Sequence, residues 1–421
     1  MPDTSSSSFK VFASTAPGLE SIAAGELKAL GTRGRQEIGG VSFGADLERL
    51  YEANLWLRTA SRVVVRLGSF HASTFYELER RAKKLPWAEF LPAHGAVRVR
   101  VTCRKSRLYH SDAVAERVLS AIVGSASRVI EGSVAGIDDE SADASETSDA
   151  TDYEARSGRG PGQLFVVRVV HDECEISADS SGELLHRRGY RQEIAKAPLR
   201  ETIAAAMVLA SGWKGDETLL DPMCGSGTIP IEAAMIARNL APGLRRRFQF
   251  MDWPAFEAER WNRILENAKA AVSNFSGETV GADRDAGAVQ AAARNAERAG
   301  VSEDVRFSEE AVSGSLAAID ESPKESGLIL TNPPYGIRVG KSDDLRNLYA
   351  KLGSALRSRA GWRLGVLTSD SELVRQTRLP LRPRFSTSNG GIPVSFFVSE
   401  KVSRAGLPGR NEGVGGLADD R

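Results

Sequence analysis

The chain has 421 residues, 41% of them hydrophobic, which is enough for two to three domains that each bury a core. It carries 55 basic and 55 acidic side chains, and a formal charge of zero argues against a partner held by bulk electrostatics. The zero is a cancellation, however, because the segment from Glu131 to Glu154 holds nine acids and no Lys or Arg. The rest of the chain therefore carries a net charge of +9.

Several broad classes of protein are excluded. The three cysteines lie far apart and form no CxxC pair, so neither a disulfide framework nor a cysteine zinc site is supported: they are Cys103, Cys174 and Cys224. The N-terminus is a polar serine run without the apolar core of a signal peptide, and no apolar run approaches the roughly 18 residues that span a bilayer. We therefore expect a cytoplasmic protein with reduced thiols and no metal.

The first 60 residues alternate between strand and helix patterns. Apolar residues over Lys10–Ser14 predict a strand, and a helical spacing of apolar residues from Leu19 ends at Gly31. A second strand, a second helix and a third strand beginning at Val63 follow. We predict a small α+β domain over residues 1–60.

Residues 61–179 contain a second α+β unit. Val alternates with Arg or Thr from Ala96 to Cys103, which is the period of a half-buried strand. A helix is predicted after Ser111, and another strand at Phe165–Val170. Between them lies an acidic segment, residues 131–162, with too few large apolar residues to bury, so we predict a flexible insertion there.

From residue 199 onward, strands alternate with helices, which indicates a parallel, doubly wound α/β sheet. The strands are predicted at Thr218–Leu220, Thr279–Ala282, Val305–Phe307, Leu328–Thr331 and Leu364–Thr368. We assign residues 180–198 to a connector, residues 199–403 to this α/β domain and residues 404–421 to a loose, Gly-rich tail.

The first candidate site is the segment from Asp221 to Thr228, between a strand and a helix, where ligands bind to open α/β sheets. Gly225 and Gly227 have no side chains, so a ligand can approach the backbone. A P-loop would need a Lys before Thr228, and a dinucleotide fingerprint would need a third Gly at position 230, which is Pro. A purely structural turn stays open, but the acid at the strand end favours a ligand that carries an amine or a cation.

A second acid follows the next strand of the predicted sheet. Asp283 stands where a carboxylate can accept hydrogen bonds from both hydroxyls of a ribose. The alternative is that Asp283 is an acid at the N-terminus of the following helix and binds no ligand. Asp285 is predicted to cap the helix that begins at Ala286.

The most specific motif runs from Thr331 to Gly336 and comes directly after the fourth strand. Two consecutive prolines remove backbone N–H donors, so the turn presents carbonyl groups without paired donors. The amide oxygen of Asn332 and the carbonyl of Pro333 can together accept both hydrogens of an exocyclic –NH2 group, and Tyr335 can stack on the ring that carries it. The motif therefore predicts a site that holds a planar base by its amine.

These motifs resemble those of the class I S-adenosylmethionine-dependent N-methyltransferases. They are Asp221-Pro-Met-Cys-Gly-Ser-Gly-Thr, Ile231–Ala234 and Asn332-Pro-Pro-Tyr. The chain from Phe9 to about Glu400 is similar to the THUMP-domain ribosomal RNA guanine-N2 methyltransferases of bacteria, as seen at Asn54–Arg58, Leu185–Arg191 and Arg245–Trp253. The resemblance implies a Rossmann-like methyltransferase domain preceded by a ferredoxin-like domain (residues 1–60) and a THUMP RNA-binding domain (residues 61–179).

The resemblance also implies S-adenosylmethionine as the cofactor and a role for each motif. The implied cofactor-binding residues are Asp221, Met223, Gly225, Gly227, Thr228, Asp283, Glu310 and Asn332. Among them, Asp283 would hold the ribose. Glu310 would hold the adenine, and Glu309 is the alternative for this role. The implied catalytic residues are Asn332, Pro333, Pro334 and Tyr335.

We expect the substrate to be guanine N2 of large-subunit (23S) ribosomal RNA. Transfer RNA and adenine N6 are the alternatives, because THUMP domains also serve enzymes of transfer RNA and an Asn-Pro-Pro-Tyr motif also supports adenine methylation. The missing third glycine argues against a nicotinamide oxidoreductase, and the intact site motifs argue against an RNA-binding protein without activity.

Three basic clusters are predicted to bind RNA, since phosphates attract Lys and Arg and aromatic rings stack on unpaired bases. Their members are Arg98, Arg100, Arg104, Lys105 and Arg107; Arg187, Arg188, Tyr190 and Arg191; and Arg245, Arg246, Arg247, Phe248 and Phe250. The acidic segment is either a solubilising loop or a regulatory one that mimics RNA and weakens non-specific binding.

Overall fold

A computed structural model places two β-sheets one after the other along the chain. The structure describes residues 8–92, 96–125, 134–137, 162–192, 199–321, 326–334, 342–357 and 359–401. Three predicted segments lie wholly or partly outside these residues: the tail at 404–421, the end of the connector at 193–198, and residues 131–133 and 138–161 of the acidic insertion.

The first sheet has eight strands in the order β2-β3-β1-β4-β8-β7-β5-β6. In chain order, its strands and helices are β1 (Phe9–Thr15), α1 (Glu20–Ala29), β2 (Arg35–Glu37), β3 (Gly40–Ala45), α2 (Leu47–Trp56), β4 (Ala60–His71), α3 (Phe75–Ala82), β5 (Ala96–Arg104), α4 (Ser111–Ser125), β6 (Val134–Ile137), β7 (Gly162–Val170) and β8 (Glu173–Asp179). The long strand β4 pairs antiparallel with β1 on one side and with β8 on the other. The boundary predicted at residue 60 thus falls at the first residue of a strand that both parts of the sheet share.

The acidic insertion is not wholly irregular. Val134–Ile137 forms β6, which pairs in parallel with β5 at the edge of the sheet. The prediction of a flexible segment was wrong for these four residues. They carry no charge, so they can join the edge of a sheet, whereas the acids of the insertion lie on either side of them, with Glu131 before and the others from Asp138 onward.

Helix α3 was missed by the sequence reasoning. Thr74 caps it by accepting a hydrogen bond from the backbone N–H of Glu77 at 3.2 Å. Only Leu78 and Ala82 of its eight residues are buried, so the apolar periodicity is weak, and the other positions are mainly charged. This leaves most of the helix surface exposed.

The second sheet has seven strands in the order β11-β10-β9-β12-β13-β15-β14. In chain order, the strands and helices are α5 (Glu201–Ser211), β9 (Thr218–Asp221), α6 (Thr228–Ala237), α7 (Ala258–Ala270), β10 (Thr279–Asp283), α8 (Ala286–Ala299), β11 (Val305–Glu309), α9 (Val312–Glu321), β12 (Gly327–Thr331), α10 (Ser342–Arg357), β13 (Trp362–Thr368), α11 (Ser371–Gln376), β14 (Leu381–Asn389) and β15 (Ile392–Ser399). Strands β9 to β13 run parallel, and β15 runs antiparallel to its two neighbours. All five predicted strands are present in this sheet.

Helix α8 begins and ends at the residues that the sequence predicted. The carboxylate of Asp285 accepts from the backbone N–H of Gly287 at 2.9 Å, which confirms its capping role. Gly300, with a φ of +78°, follows the last helical residue, because a left-handed residue ends a helix at little cost when it is glycine.

An aromatic insertion from the second half of the chain packs into the core of the first. The ring of Phe250 stacks on Tyr51 with centroids 4.4 Å apart, and Trp253 lies edge-on to Phe90 at 4.9 Å. The indole N–H of Trp253 donates to the side-chain oxygen of the buried Gln163 at 2.7 Å. One hydrophobic core therefore joins the first sheet to this insertion and to α7, and it fixes the insertion against the first half of the chain.

The described residues contain neither a membrane-spanning helix nor a cluster of metal ligands. None of the helices there has the length and apolar character needed to cross a membrane. In the same part of the chain, no three His, Cys, Asp or Glu side chains come together as a metal site would require.

Candidate active site

The candidate site lies at the carboxyl ends of β9, β10 and β12. Strand β9 is central, with β10 on one side and β12 on the other, so the connections after β9 and β12 diverge and leave a crevice between them. Three of the sequence motifs follow these strands directly, beginning at Asp221, Asp283 and Asn332. The fold brings together residues that are more than 100 positions apart in the chain.

Asp221 is fully buried at the end of β9. Its Oδ1 accepts a hydrogen bond of 2.7 Å from the Thr331 hydroxyl at the end of β12 and one of 3.2 Å from the backbone N–H of Met223. Burial raises the pKa of Asp221 to about 7, and the nearby charge of Asp283 adds to the rise, although the two hydrogen bonds oppose it. A cation placed against this carboxylate would favour its ionised form.

The glycine turn after β9 has one open position and one that is filled. Gly225 has a φ of +52° and its N–H donates to Oδ2 of Asp283 at 2.9 Å; apart from its two chain neighbours, no atom of the described residues lies within 4 Å of where a side chain would begin. Gly227 has a φ of +82°, but a Cβ there would meet Ala292 at 2.9 Å and the Phe307 ring at 3.0 Å. The absent side chain therefore leaves open space at Gly225, while at Gly227 it makes room for packing between α8 and β11.

Asp283 is oriented by backbone donors on both oxygens. Besides the bond from Gly225, its Oδ1 accepts from the N–H of Asp285 at 3.0 Å. A carboxylate has about four acceptor positions, so it can accept further bonds from a ligand. The N–H of Glu310 donates to the backbone oxygen of Asp283 at 2.9 Å, and both Glu309 and Glu310 are exposed at this edge of the sheet.

The amide oxygen of Asn332 is buried, and within the described residues it has no hydrogen-bond partner. A buried acceptor without a donor is costly, so such atoms are rare and commonly indicate a ligand or a water molecule that completes the site. Pro333 is buried and Pro334 is exposed, whereas Tyr335 lies outside the described residues. That Asn332 holds an amine stays a prediction.

The other residues near the turn have packing roles. Met223 is half-buried against the cluster that contains Leu220 and Val280, and Thr228 is buried at the first position of α6. Burial raises the pKa of the Cys224 thiol well above its ordinary value, so this cysteine is not poised to act as a thiolate nucleophile.

Two of the predicted RNA-binding clusters were partly wrong, because several of their members are buried. Arg188 and Tyr190 both contact the buried Glu232, Arg188 with its Nε 3.4 Å from the carboxylate and Tyr190 with its hydroxyl at 3.1 Å. Phe248 and Phe250 stack on each other inside the core, where no base can reach them. Charge and aromatic content in a sequence do not distinguish an exposed cluster from a buried one.

Other predicted members form bonds within the protein although they are not fully buried. Arg246 donates to the backbone oxygens of Glu183 and Leu184, Arg247 pairs with Asp252, and Arg191 pairs with Glu201. The remaining members are exposed or half-buried: Arg98, Arg100, Arg104, Lys105, Arg107, Arg187 and Arg245.

The sequence reasoning also missed a basic groove on the first sheet. Phe70 at the end of β4 and three basic residues line a groove of about 360 Å³: Arg80, Arg81 and Lys84. Tyr76, on the same helix, is 73% exposed, and the guanidinium of Arg80 lies 5.8 Å from the centre of its ring. The run Arg80-Arg81-Ala82-Lys83-Lys84 was the signal in the sequence.

The two glycines of the turn should differ in their response to substitution. We expect Gly227→Ala to lower the free energy of unfolding by about 2–4 kcal/mol, since it adds a clash in a packed interior to the cost of a positive φ. Gly225→Ala should cost only about 1 kcal/mol, because it meets open space. Urea unfolding of both variants measures the difference; equal losses of stability would mean that packing at Gly227 does not constrain the turn.

Two family models match the chain. An RMKL-like methyltransferase domain matches residues 188–391, and an RlmL ferredoxin-like domain matches residues 10–64. A crystal structure of SMU.472, a putative methyltransferase complexed with SAH, has a TM-score of 0.79 and 28% identity, and the match covers 94% of this chain and 98% of that one. The expected fold class, a Rossmann-like methyltransferase domain preceded by a ferredoxin-like domain, is confirmed.

Similarity to curated proteins extends over nearly the whole chain. Ribosomal RNA large subunit methyltransferase K/L of Syntrophotalea carbinolica is 36% identical over 93% of this chain, which spans about half (54%) of that protein. A putative RNA methyltransferase of Synechocystis sp. is 33% identical over 95% of this chain and 100% of that protein. The chain therefore belongs to the family of RMKL-like methyltransferases, in which an RlmL ferredoxin-like domain precedes the methyltransferase domain.

Proposed function

We propose that this methyltransferase transfers a methyl group from S-adenosylmethionine to an exocyclic amine of an RNA base, with guanine N2 of large-subunit ribosomal RNA as the favoured target. The observation that carries the proposal is the buried amide oxygen of Asn332, which lacks a donor among the described residues and lies one residue beyond the Thr331–Asp221 hydrogen bond. A base amine would supply the missing donor.

The residues at the strand ends suit the cofactor. S-adenosylmethionine, when bound, supplies a methyl group on a positively charged sulfur. The Asp221 carboxylate offers charge to the cationic methionine part, and the open side of Gly225 lets a ligand approach the backbone. Asp283 would accept the ribose hydroxyls, and Glu310, or its neighbour Glu309, the adenine amine.

The amine itself needs positioning more than a strong base. Asn332 and the carbonyl of Pro333 would accept its two hydrogens and so direct the nitrogen lone pair at the methyl group, with Tyr335 stacked on the base and Pro334 fixing the turn. Positive charge develops on the nitrogen during transfer, and the same two acceptors stabilise it. A base in an RNA helix must be unpaired to reach this turn.

Ribosomal RNA is favoured because the K/L relatives of this chain act, by name, on large-subunit ribosomal RNA. Those relatives are about twice as long as this chain, so the RNA and the base remain proposals. We propose that the first sheet includes the THUMP domain at residues 61–179. An enzyme of ribosomal RNA would act in the cytoplasm.

We further propose that the basic groove of Phe70, Arg80, Arg81 and Lys84 contacts the RNA. The groove lies at the same end of the sheet as the exposed loop Arg104–Arg107, because Ala72 after β4 donates to the backbone of Asp172 and Arg107 donates to the side chain of that aspartate. Basic groups beside exposed rings such as Tyr76 suit phosphates and unpaired bases. The predicted cluster at Arg104, Lys105 and Arg107 thus keeps its proposed role.

Labelled methyl transfer tests the reaction. The wild-type chain is incubated with labelled S-adenosylmethionine and one RNA, which is unmodified 23S ribosomal RNA in one reaction and unmodified transfer RNA in another. The RNA is then digested and the labelled nucleosides are identified. We expect N2-methylguanosine from ribosomal RNA. Asn332→Ala should lower kcat at least about a hundredfold, because it removes an acceptor of the developing charge, while leaving cofactor affinity near that of the wild type.

The exposed Asn262→Ala on α7 is the matched control and should keep full activity. Label found only in N6-methyladenosine would contradict guanine as the target base. Label found only in transfer RNA would contradict ribosomal RNA as the substrate. An Asn332→Ala variant with wild-type turnover would remove Asn332 from the mechanism.

Cofactor affinity should depend on pH through Asp221. The pKa of this buried carboxyl is raised to about 7, so lowering the pH from 8 to 6 protonates it and removes the charge that faces the cation. We expect the Kd for S-adenosylmethionine to rise by up to about tenfold per pH unit below the pKa. Calorimetric titration of Asp221→Asn should give weaker binding that does not vary over this range; an unchanged slope would assign the dependence to another group.

The salt dependence of RNA binding tests the groove. A variant with Arg80→Ala, Arg81→Ala and Lys84→Ala should bind RNA more weakly, and the slope of log K against log salt should fall by about 0.7 to 0.9 for each phosphate that the variant no longer neutralises. The control removes three exposed cations from the methyltransferase half: Arg263→Ala, Lys269→Ala and Arg375→Ala. Equal weakening of RNA binding in the two triple variants would contradict a specific contact at the groove, because the loss of net charge alone would then explain the effect.

A further inference from the structure

Several side chains of the connector between the two halves are buried, so these members of the basic motif Leu185–Arg191 need a role other than the RNA contact that their charge predicted. Leu185, Arg188 and Tyr190 are each 3% exposed or less. Arg188 donates to the backbone oxygens of Leu185 and Arg58, and Arg58 donates to the backbone oxygen of Leu240, just beyond α6. The connector is therefore tied both to the first half of the chain and to the methyltransferase domain.

A chain of hydrogen bonds leads from the connector to the glycine turn of the candidate site. The backbone oxygen of Tyr190 accepts from Nε of Arg298 at 2.8 Å, and Nη2 of Arg298 donates to Oδ1 of Asn295 at 2.6 Å. The Nδ2 of Asn295 then donates to the backbone oxygen of Ser226 at 3.1 Å. Asn295 is fully buried, and Ser226 is the residue between Gly225 and Gly227.

The hydrogen bond to Ser226 matters because this residue lies between two glycines, Gly225 and Gly227. Glycine has the widest range of backbone conformations of any residue, and both glycines of this turn have positive φ. The bond from Asn295 holds the oxygen side of the peptide that joins Ser226 to Gly227, and the N–H of the same peptide donates to the backbone oxygen of Cys224 at 2.9 Å. Arg298 in turn fixes the amide of Asn295, because its fork of donors reaches Asn295 and Tyr190 at once.

We propose that Asn295 is a positioning residue for the cofactor turn and that the connector, through Tyr190 and Arg298, holds Asn295 in place. The inference rests on the proposed function only in that the turn binds S-adenosylmethionine. It assigns the connector motif to cofactor binding rather than to RNA contact. Tyr190 has a separate bond through its hydroxyl to Glu232, which does not take part in this chain.

Three variants separate the contacts. Asn295→Asp keeps the size and the acceptor for Arg298 but removes the donor to Ser226, and Arg298→Lys removes the fork. Each should raise the Kd for S-adenosylmethionine about tenfold, the effect expected from removing one well-placed hydrogen bond. Tyr190→Phe keeps the carbonyl acceptor and removes only the bond to Glu232, so it should leave the Kd unchanged.

Calorimetry on the full chain without RNA gives the Kd, and methyl transfer gives kcat and the KM for the cofactor. The KM should rise in Asn295→Asp and Arg298→Lys while kcat at saturating cofactor stays near wild type. Arg238→Lys is the matched control, because Arg238 pairs with Asp304 on the methyltransferase domain without contact to the turn. Thermal unfolding of the ligand-free variants accompanies each measurement.

A Kd within about twofold of wild type in both Asn295→Asp and Arg298→Lys would overturn the proposal, as would an equal rise in Arg238→Lys. A loss of thermal stability with no change in Kd would overturn it as well, since a purely structural role predicts that result. A wild-type chain that binds the cofactor but methylates no RNA would contradict the proposed substrate and leave this test valid. A wild-type chain that does not bind S-adenosylmethionine would contradict both.

Discussion

The hydrogen bond from the Thr331 hydroxyl to the Asp221 carboxylate joins the ends of β9 and β12, and the candidate site depends on it. These strands are neighbours in the sheet although 110 residues separate the two partners in sequence. The bond holds Asp221 in place in an interior that raises its pKa, and Asn332, the next residue after Thr331, lies at the same edge of the sheet as the turn that carries Gly225. Side chains from three strand ends thereby converge without any of them reaching far from the backbone, which favours a rigid site.

The proposed activity would also depend on the close packing of the two halves of the chain. A methyltransferase that positions one base of a large RNA, as we propose, must hold the surface that contacts the RNA at a fixed place relative to the reacting atoms, since small misplacements cost rate. The stacking of Phe250 on Tyr51 and the bond from Trp253 to Gln163 provide that rigidity through a shared core. The connector adds polar contacts to it at Arg58 and Arg188.

Local signals made the methyltransferase sheet predictable from sequence. Helix α8 has a capping Asp285 and a terminal Gly300, and the central strands of the parallel sheet read as short apolar runs that end in a polar motif. The predictions failed where the outcome depended on tertiary burial. Phe248 and Arg188 stand in sequence patterns typical of a nucleic-acid surface, yet the first half of the chain covers them, and no local pattern encodes that contact.

Two buried groups of the site are less fully satisfied than the buried Arg188 of the connector. Inside the connector, Arg188 donates to two backbone oxygens and contacts Glu232, which offsets much of the cost of burying its charge. At the site and within the described residues, the buried amide oxygen of Asn332 has no donor, and the buried Asp221 has no cation beside it. Folding alone would not favour either arrangement, since each costs free energy that an apolar residue would not. Both groups lie at the crevice of the sheet, where ligands are expected. A bound amine would satisfy Asn332 and a bound cation would satisfy Asp221, so ligand binding accounts for the presence of these two groups.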